Sequence, residues 1–413
     1  MGDVMRKMIM IVISFLMISG CTIKEPIFKN KESLKIAVAT DLHYFAKEYY
    51  EQCEWFEEQM LYGDGKMVTY ADEIINAFID DVIEKKVDLV LLTGDLTFNG
   101  EVNSHKSLAL LLNRLEENGI QVAVIAGNHD IDNIFTKGYG KDDYFDVGNI
   151  SANEFRDIYK DLGYDIAVST HKDSLSYEIV LNDKYSLLVV DSNTHELTTG
   201  SALDNGGYIS DSTKKWLIDR FDHCKKSDLI PIVAMHHNLG VHNEVLNNGY
   251  TIYDNSTYID MFKEYNVPLV LSGHIHLQSI LDVEGIKEIT TTSLLVNPLQ
   301  YGLIELSFDN IVYNAVQLLI SEDSAKYFDT VSLNKFYNED NSEEAKLKRE
   351  VIKLVNRHYF AGTINEIEED VKNMKGYSLI MNENDGFSKS YLESMLKSNG
   401  NNINVEIPLK TSY

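Results

Sequence analysis

The sequence predicts an α/β chain: two stacked β-sheets flanked by helices, followed by a small helical C-terminal domain. Three observations carry this expectation. From Leu34 onward, short apolar runs alternate with amphipathic segments, the order of a parallel-rich sheet covered by helices. After His276 the pattern turns mostly to strands, enough to add a second sheet. Near residue 321 the composition shifts to charged stretches of helical period.

The elements follow in order. Residues 35–39 (KIAVA) read as a buried strand. Residues 67–85 have helical periodicity, with Ile74, Ile75, Phe78, Ile79, Val82 and Ile83 on one face. A strand over 87–92, a helix over 104–117 and a strand over 121–126 complete a βαβαβ unit. Residues 176–181 and 185–190 flank an Asn-Asp-Lys turn and read as a hairpin. A helix is expected over 210–225, with apolar strands over 229–235 and 267–271. Further strands are expected over 279–283, 288–295, 303–308 and 311–318. Residues 343–373 and 386–397 are helical in period. The main domain is thus 34–320 and the helical C-terminal domain 321–413, with no internal repeat.

The N-terminus reads differently. Arg6 and Lys7 precede an apolar run over 8–18, closed by Ile18-Ser19-Gly20-Cys21. A run this short is a signal peptide, residues 1–20, rather than a membrane span. Its ending resembles the bacterial lipobox, which makes Cys21 the lipidated first residue and 21–33 a polar tether. The expected location is therefore the cell membrane, lipid-anchored and facing the extracytoplasmic side, with the lipid bilayer as a partner. An oxidising location permits a disulfide between Cys53 and Cys224, and two buried thiols fit the sequence as well. The 413 residues carry a net charge of -27, which argues against nucleic-acid binding. That acidity would also repel an anionic substrate, unless bound cations supply the local positive charge.

Five segments fall at the C-terminal ends of expected strands, where α/β sheets commonly place their sites. They are Asp41-Leu42-His43; Gly94-Asp95, followed by Asn99-Gly100-Glu101; Gly127-Asn128-His129-Asp130; His236-His237-Asn238; and Gly273-His274-Ile275-His276. Singly, each has an ordinary explanation as a turn, a helix cap or a chance pair. Together they hold six of the 12 histidines. So many polar groups on one rim are costly without partners, and metal coordination offsets that cost.

This constellation, in this order, resembles the calcineurin-like metallophosphoesterase superfamily over about residues 34–320. The resemblance implies the metallo-dependent phosphatase fold and two transition-metal ions, divalent or trivalent (Mn, Fe or Zn). Asp41, His43 and His276 would bind one ion, and Asn128, His236 and His274 the other, with Asp95 bridging. His236 is preferred over the adjacent His237 because the ligand usually follows directly on the apolar strand, leaving His237 in support. The ions would lie about 3.5–4 Å apart, and water shared between them would be the nucleophile. His129 matches the non-ligand histidine that protonates the leaving oxygen or steadies the phosphoryl group. Asp130 has two open roles, orienting nearby groups or capping the segment that follows.

Three stretches narrow the resemblance to class III cyclic-nucleotide phosphodiesterases and their lipoprotein relatives. They are Gly94–Glu101 with Ser104-His105, Gly127–Ile131, and His236–Leu239 with His242 nearby. Asn238 departs from the commoner His-His-Pro form, and the segment 135–147 is particular to this chain. Asn99 and His242 are expected to contact the substrate or support metal ligands, although Asn99 also suits a turn with Gly100. The expected activity is hydrolysis of a small phosphodiester outside the cell, with 3',5'-cyclic nucleotides as a candidate class. The alternatives are a phosphomonoesterase or nucleotidase, and a non-catalytic surface-binding lipoprotein.

Overall fold

The computed structural model describes residues 24–61, 65–193, 205–245, 247–321, 342–383, 386–397 and 402–409. The expected signal peptide and Cys21 lie outside the described residues. No helix among the described residues is long and apolar enough to cross a membrane.

The first half runs β1 (Leu34–Ala39), α1 (Phe56–Leu61), α2 (Ala71–Glu84), β2 (Leu89–Thr93), α3 (Val102–Glu117) and β3 (Gln121–Ile125). Next come β4 (Gly138–Tyr139), β5 (Tyr144–Phe145), α4 (Ala152–Ile158), β6 (Ser169–Thr170), β7 (Tyr177–Val180) and β8 (Tyr185–Val190). Then follow α5 (Asp211–Lys226), β9 (Ile230–Met235), α6 (Asn255–Glu264), β10 (Leu269–Ser272), β11 (Ser279–Val283), β12 (Ile286–Thr290), β13 (Gln300–Leu306) and β14 (Asn310–Gln317). The C-terminal region holds α7 (Glu343–Phe360), α8 (Glu368–Asn373), α9 (Lys375–Met381), α10 (Gly386–Leu396) and β15 (Asn404–Pro408).

One sheet has the order β15-β14-β13-β1-β2-β3, with β1, β2 and β3 parallel. The other has the order β11-β12-β10-β9-β8-β7-β6, with β8, β9, β10 and β12 parallel. Alternation along the strands shows how they stack. Leu187 and Val189 of β8, Ile232 and Ala234 of β9, and Leu269 and Leu271 of β10 join the large core shared with the first sheet. Their neighbours Leu188, Val190, Val233, Met235 and Val270 join a second core with Leu217 and Phe221 of α5 and Phe262 of α6. Successive side chains on a strand point to opposite faces, so the second sheet is packed on both sides along these strands. This also explains why these strands read as unbroken apolar runs.

Local chemistry sets the boundaries. Helix α2 buries Ile74, Ile75, Phe78, Ile79 and Val82, and a short 3-10 turn, Val68–Tyr70, precedes it. Helix α5 begins where Ser210 Oγ accepts the Thr213 N–H at 3.1 Å. In the β7–β8 turn, Asn182 Oδ1 accepts from the N–H groups of Lys184 and Tyr185 at 3.0 and 2.9 Å.

Two expectations need correction. The strand expected over 288–295 ends at Thr290. Beyond it the chain leaves the sheet to brace the motif loops: Thr292 Oγ1 donates to His276 O at 2.8 Å, and Ser293 Oγ to Asp41 O at 2.7 Å. The region 321–413 is not helical throughout either, because β15 adds to the first sheet as an antiparallel neighbour of β14. Cys53 and Cys224 are both buried free thiols.

Candidate metal centre

The five motifs stand at the C-terminal ends of β1, β2, β3, β9 and β10, the parallel strands of both sheets. The chain turns sharply there. Asp41, His43, Asp95, His274 and His276 have φ values of 52, 38, 49, 69 and 56°, in the left-handed region that costs most side chains energy. Short polar side chains tolerate it best, and this backbone aims each side chain back over the strand ends.

Each motif glycine has a partner pressed against it. A Cβ on Gly94 would lie 2.4 Å from His236 Nδ1, and one on Gly127 2.1 Å from Asp95 Oδ1. On Gly273 it would lie 2.0 Å from Thr40 Oγ1 and 2.8 Å from Asp41 Oδ2. The glycines are therefore the space in which expected ligands from neighbouring strands sit. Gly127→Ala should displace Asp95, lower stability by about 1–3 kcal/mol, and reduce bound metal, as read by thermal melting and elemental analysis.

Two donor groups result. Asp41, His43, Asp95 and His276 form one, and Asp95, His236 and His274 the other, with ligand atoms in each within 4.8 Å of one another. Asp95 belongs to both. In the first group His276 Nε2 lies 3.1 Å from Asp41 Oδ1 and 3.2 Å from His43 Nε2. His43 Nε2 stands 3.8 Å from both Asp41 Oδ1 and Asp95 Oδ2. In the second, His236 Nε2 is 3.4 Å from Asp95 Oδ1 and 3.1 Å from Asn128 Oδ1, which brings the Asn128 amide oxygen into that group.

Outer contacts select the free nitrogens. His236 Nδ1 donates to Thr93 O at 2.8 Å, which leaves Nε2 to the site. His274 Nε2 faces the carbonyls of Asn205 and Gly249, each at 2.9 Å, which leaves Nδ1. Such contacts fix the tautomer of metal-binding histidines. Burial pushes His43 well below its ordinary pKa and His274 down to about 4, so both rings offer neutral lone pairs at pH 7. Burial opposes charge on Asp95 and Asp41 as well. The imidazoles around them, chiefly His236 for Asp95 and His276 for Asp41, nonetheless hold both carboxyls below the usual range.

These residues fit metal ions. Asp41 Oδ1 is buried with no hydrogen bond, and His276 Nε2 and His43 Nε2 stand 3.1 and 3.8 Å from it. Oxygen and nitrogen donors without thiolate suit Mn, Fe or Zn.

His129 belongs to neither group. Its Nδ1 donates toward Phe98 O at 2.9 Å and Asn99 Oδ1 at 3.1 Å, and its Nε2 lies 4.0 Å from Asp95 Oδ2. Asn99 therefore orients His129, and Asn133 Nδ2 meets the same Asn99 oxygen at 3.4 Å. If His129 is the proton donor expected of it, Asn99→Ala should lower kcat about tenfold with KM nearly unchanged. Unchanged kinetics would remove that role.

The remaining residues support the loops. Asp130 accepts the N–H groups of Leu96, Thr97 and Gly127 at 3.0, 2.8 and 2.7 Å, locking two motifs together. His105 lies 2.9 Å from Asp130 O, and Ser104 Oγ accepts the Ala46 N–H at 3.1 Å. His237 packs its ring 4.6 Å from that of His274, with Nδ1 2.9 Å from Ser192 Oγ. Asn238 donates to Ser272 Oγ and Gly273 O, both at 3.0 Å, so it ties β9 to the β10 loop instead of facing a pocket. His242 is placed apart from both donor groups: its buried ring stands 3.2 Å from Glu288, which accepts from Leu239, Gly240 and Ser272. Sequence reasoning missed Lys66, which is 8% exposed and whose charge reaches His43. A single lysine outside every motif gives no signal of its own.

Residues 313–402 match the family described as C-terminal domain of cyclic nucleotide phosphodiesterase. A probable cyclic nucleotide phosphodiesterase of Psychrobacter arcticus is 24% identical over 219 residues, 52% of this chain and 67% of that protein. One of Ruthia magnifica is 40% identical over 67 residues, a match spanning 15% of this chain and only 27% of the relative. A solved dimetal phosphatase from Danio rerio is 11% identical with a TM-score of 0.49, covering 70% of this chain and 99% of that one. Residues 34–278, more than half of the chain and all five motifs, match the model for calcineurin-like phosphoesterases, and the chain belongs to that family.

Proposed function

We propose that this metallophosphoesterase is a phosphodiesterase for small diesters, with 3',5'-cyclic nucleotides as the first substrates to test. The observation that carries the reaction is the pair of donor groups sharing Asp95. The cyclic-nucleotide reading draws on the printed names of the two curated relatives and of the C-terminal family.

Asp41, His43, Asp95 and His276 would hold one ion, and Asp95, Asn128, His236 and His274 the other. Ions bound there supply Lewis acidity toward phosphoryl oxygens and lower the pKa of water. The chain's own residues do the rest. Phe98 O and Asn99 keep a proton on Nδ1 of His129, so its Nε2 is the atom that gives a proton to the leaving oxygen. The leaving group then lies on the Nε2 side of the His129 ring, the side that faces Asp95, while Asn99 holds the ring from its Nδ1 side.

The test is hydrolysis of bis-p-nitrophenyl phosphate against p-nitrophenyl phosphate, by protein lacking residues 1–20, with Mn and with chelator. Metal-dependent turnover that favours the diester is expected. Preference for the monoester would replace this reading with a phosphomonoesterase.

We also propose that the protein is lipid-anchored on the extracytoplasmic side, a reading supported by residues 1–21 alone. Radiolabelled palmitate should label the protein, and Cys21→Ser should abolish the label. A Cys21→Ser protein still labelled and still in the membrane fraction would sink it.

A further inference from the structure

We infer that the C-terminal helices are a positioning element for both ion sites, acting through the loop that carries His274 and His276. The inference rests on the two-ion reading above. Ile275 stands between these two histidines, and Leu277 follows them. Both are buried, yet neither belongs to the two cores that fill the sandwich. They belong to a third apolar cluster, otherwise built by the C-terminal region from side chains such as Val351, Ile352 and Val355 of α7 and Leu392 of α10.

The spacing gives this placement its consequence. The loop turns through left-handed backbone at His274 and His276, and it places residues 275 and 277 in the helical cluster and residues 274 and 276 in the donor groups. Holding residues 275 and 277 in the helical cluster turns residues 274 and 276 toward the ions. One histidine belongs to each donor group, so a shift of this loop reaches both sites.

Polar contacts pin the same loop. The Gln278 N–H donates to Phe360 O, at the end of α7, at 3.1 Å. Gln278 Nε2 donates to Asn402 O at 2.8 Å, and the Ile280 N–H to Asn402 Oδ1 at 3.0 Å. A third path runs through Tyr250, which packs on the helical cluster and sets its ring 5.2 Å from that of His274. The helices thus hold the ligand loop from its far side by packing, backbone and ring contact together. Contacts that orient metal ligands are commonly worth about 10–100-fold in affinity.

The experiment measures Mn binding by calorimetry to the full chain lacking residues 1–20, to Val355→Ala, and to Leu217→Ala. Leu217 is fully buried in the core beneath α5, away from the ligand loop, so its truncation reproduces a loss of packing without touching the loop. Melting curves establish that each protein is folded at the assay temperature. If Val355→Ala does not fold, Ile352→Val takes its place with the same criteria. The expected result is Mn affinity weakened about tenfold in the α7 variant and unchanged in Leu217→Ala. Catalytic rate should return in the α7 variant at saturating Mn. Affinity within twofold of the parent would overturn the inference. Equal weakening in both variants would also overturn it, because the cause would then be general destabilisation. A parent chain that binds no Mn would instead overturn the two-ion reading itself.

Discussion

Asp95→Asn is expected to lower phosphodiester turnover by about 10³-fold or more and to leave fewer than two ions bound. The carboxylate is 1% exposed, 3.8 Å from His43 Nε2 in one donor group and 3.4 Å from His236 Nε2 in the other. An amide keeps the shape but has one acceptor oxygen and no charge, so it cannot serve two cations at once. Removing metal stabilisation worth several kcal/mol from the transition state corresponds to a rate loss of that order. The variant should still fold, since the His129 N–H that Asp95 Oδ1 accepts at 2.9 Å can bond to an amide oxygen instead. Elemental analysis beside steady-state kinetics decides the matter. Two ions retained, with a rate within tenfold of the parent, would show that Asp95 does not bridge.

His129→Ala should separate proton transfer from metal binding. Its ring lies outside both donor groups, and alanine keeps the backbone N–H that meets Asp95. Bound metal should be unchanged, while kcat falls by about 10²–10⁴-fold, the usual worth of a positioned acid. The size of the loss should depend on the leaving group. A nitrophenolate departs without a proton, so its diester should lose little. An alkoxide, as in a cyclic nucleotide, needs the proton and should lose the full amount. Equal losses for both substrates would assign His129 to holding the phosphoryl group instead.

Much of the centre was legible in the sequence because its grammar is local. Each expected ligand follows an apolar strand, and the glycines beside Asp95, Asn128 and His274 stand where a neighbour's side chain needs room. Adjacent His236 and His237 differ through a feature that strand phase conveys: the first residue past β9 turns toward Asp95, and the second packs against Ser192. The rest depends on contacts between distant segments. Residues 291–295 have the composition of a strand, and only the need to brace Asp41 and His276 draws them off the sheet. Strand β15 pairs with β14 across almost a hundred residues, beyond the reach of any pattern window. His242 sits close to a motif in sequence and is directed to Glu288 by the fold.

The left-handed backbone at five of the expected ligands makes the protein's stability a property of its surroundings. Conformations of this kind cost about 1–3 kcal/mol each and persist only where other interactions hold them. Ions that bind the native chain and not the unfolded one act by mass action, adding RT ln(1 + [L]/Kd) for each site. Free metal concentration then determines how much of the protein is folded as well as how much is active. Metal scarcity would therefore act on the lifetime of the chain, through unfolding and proteolysis, in addition to slowing its chemistry.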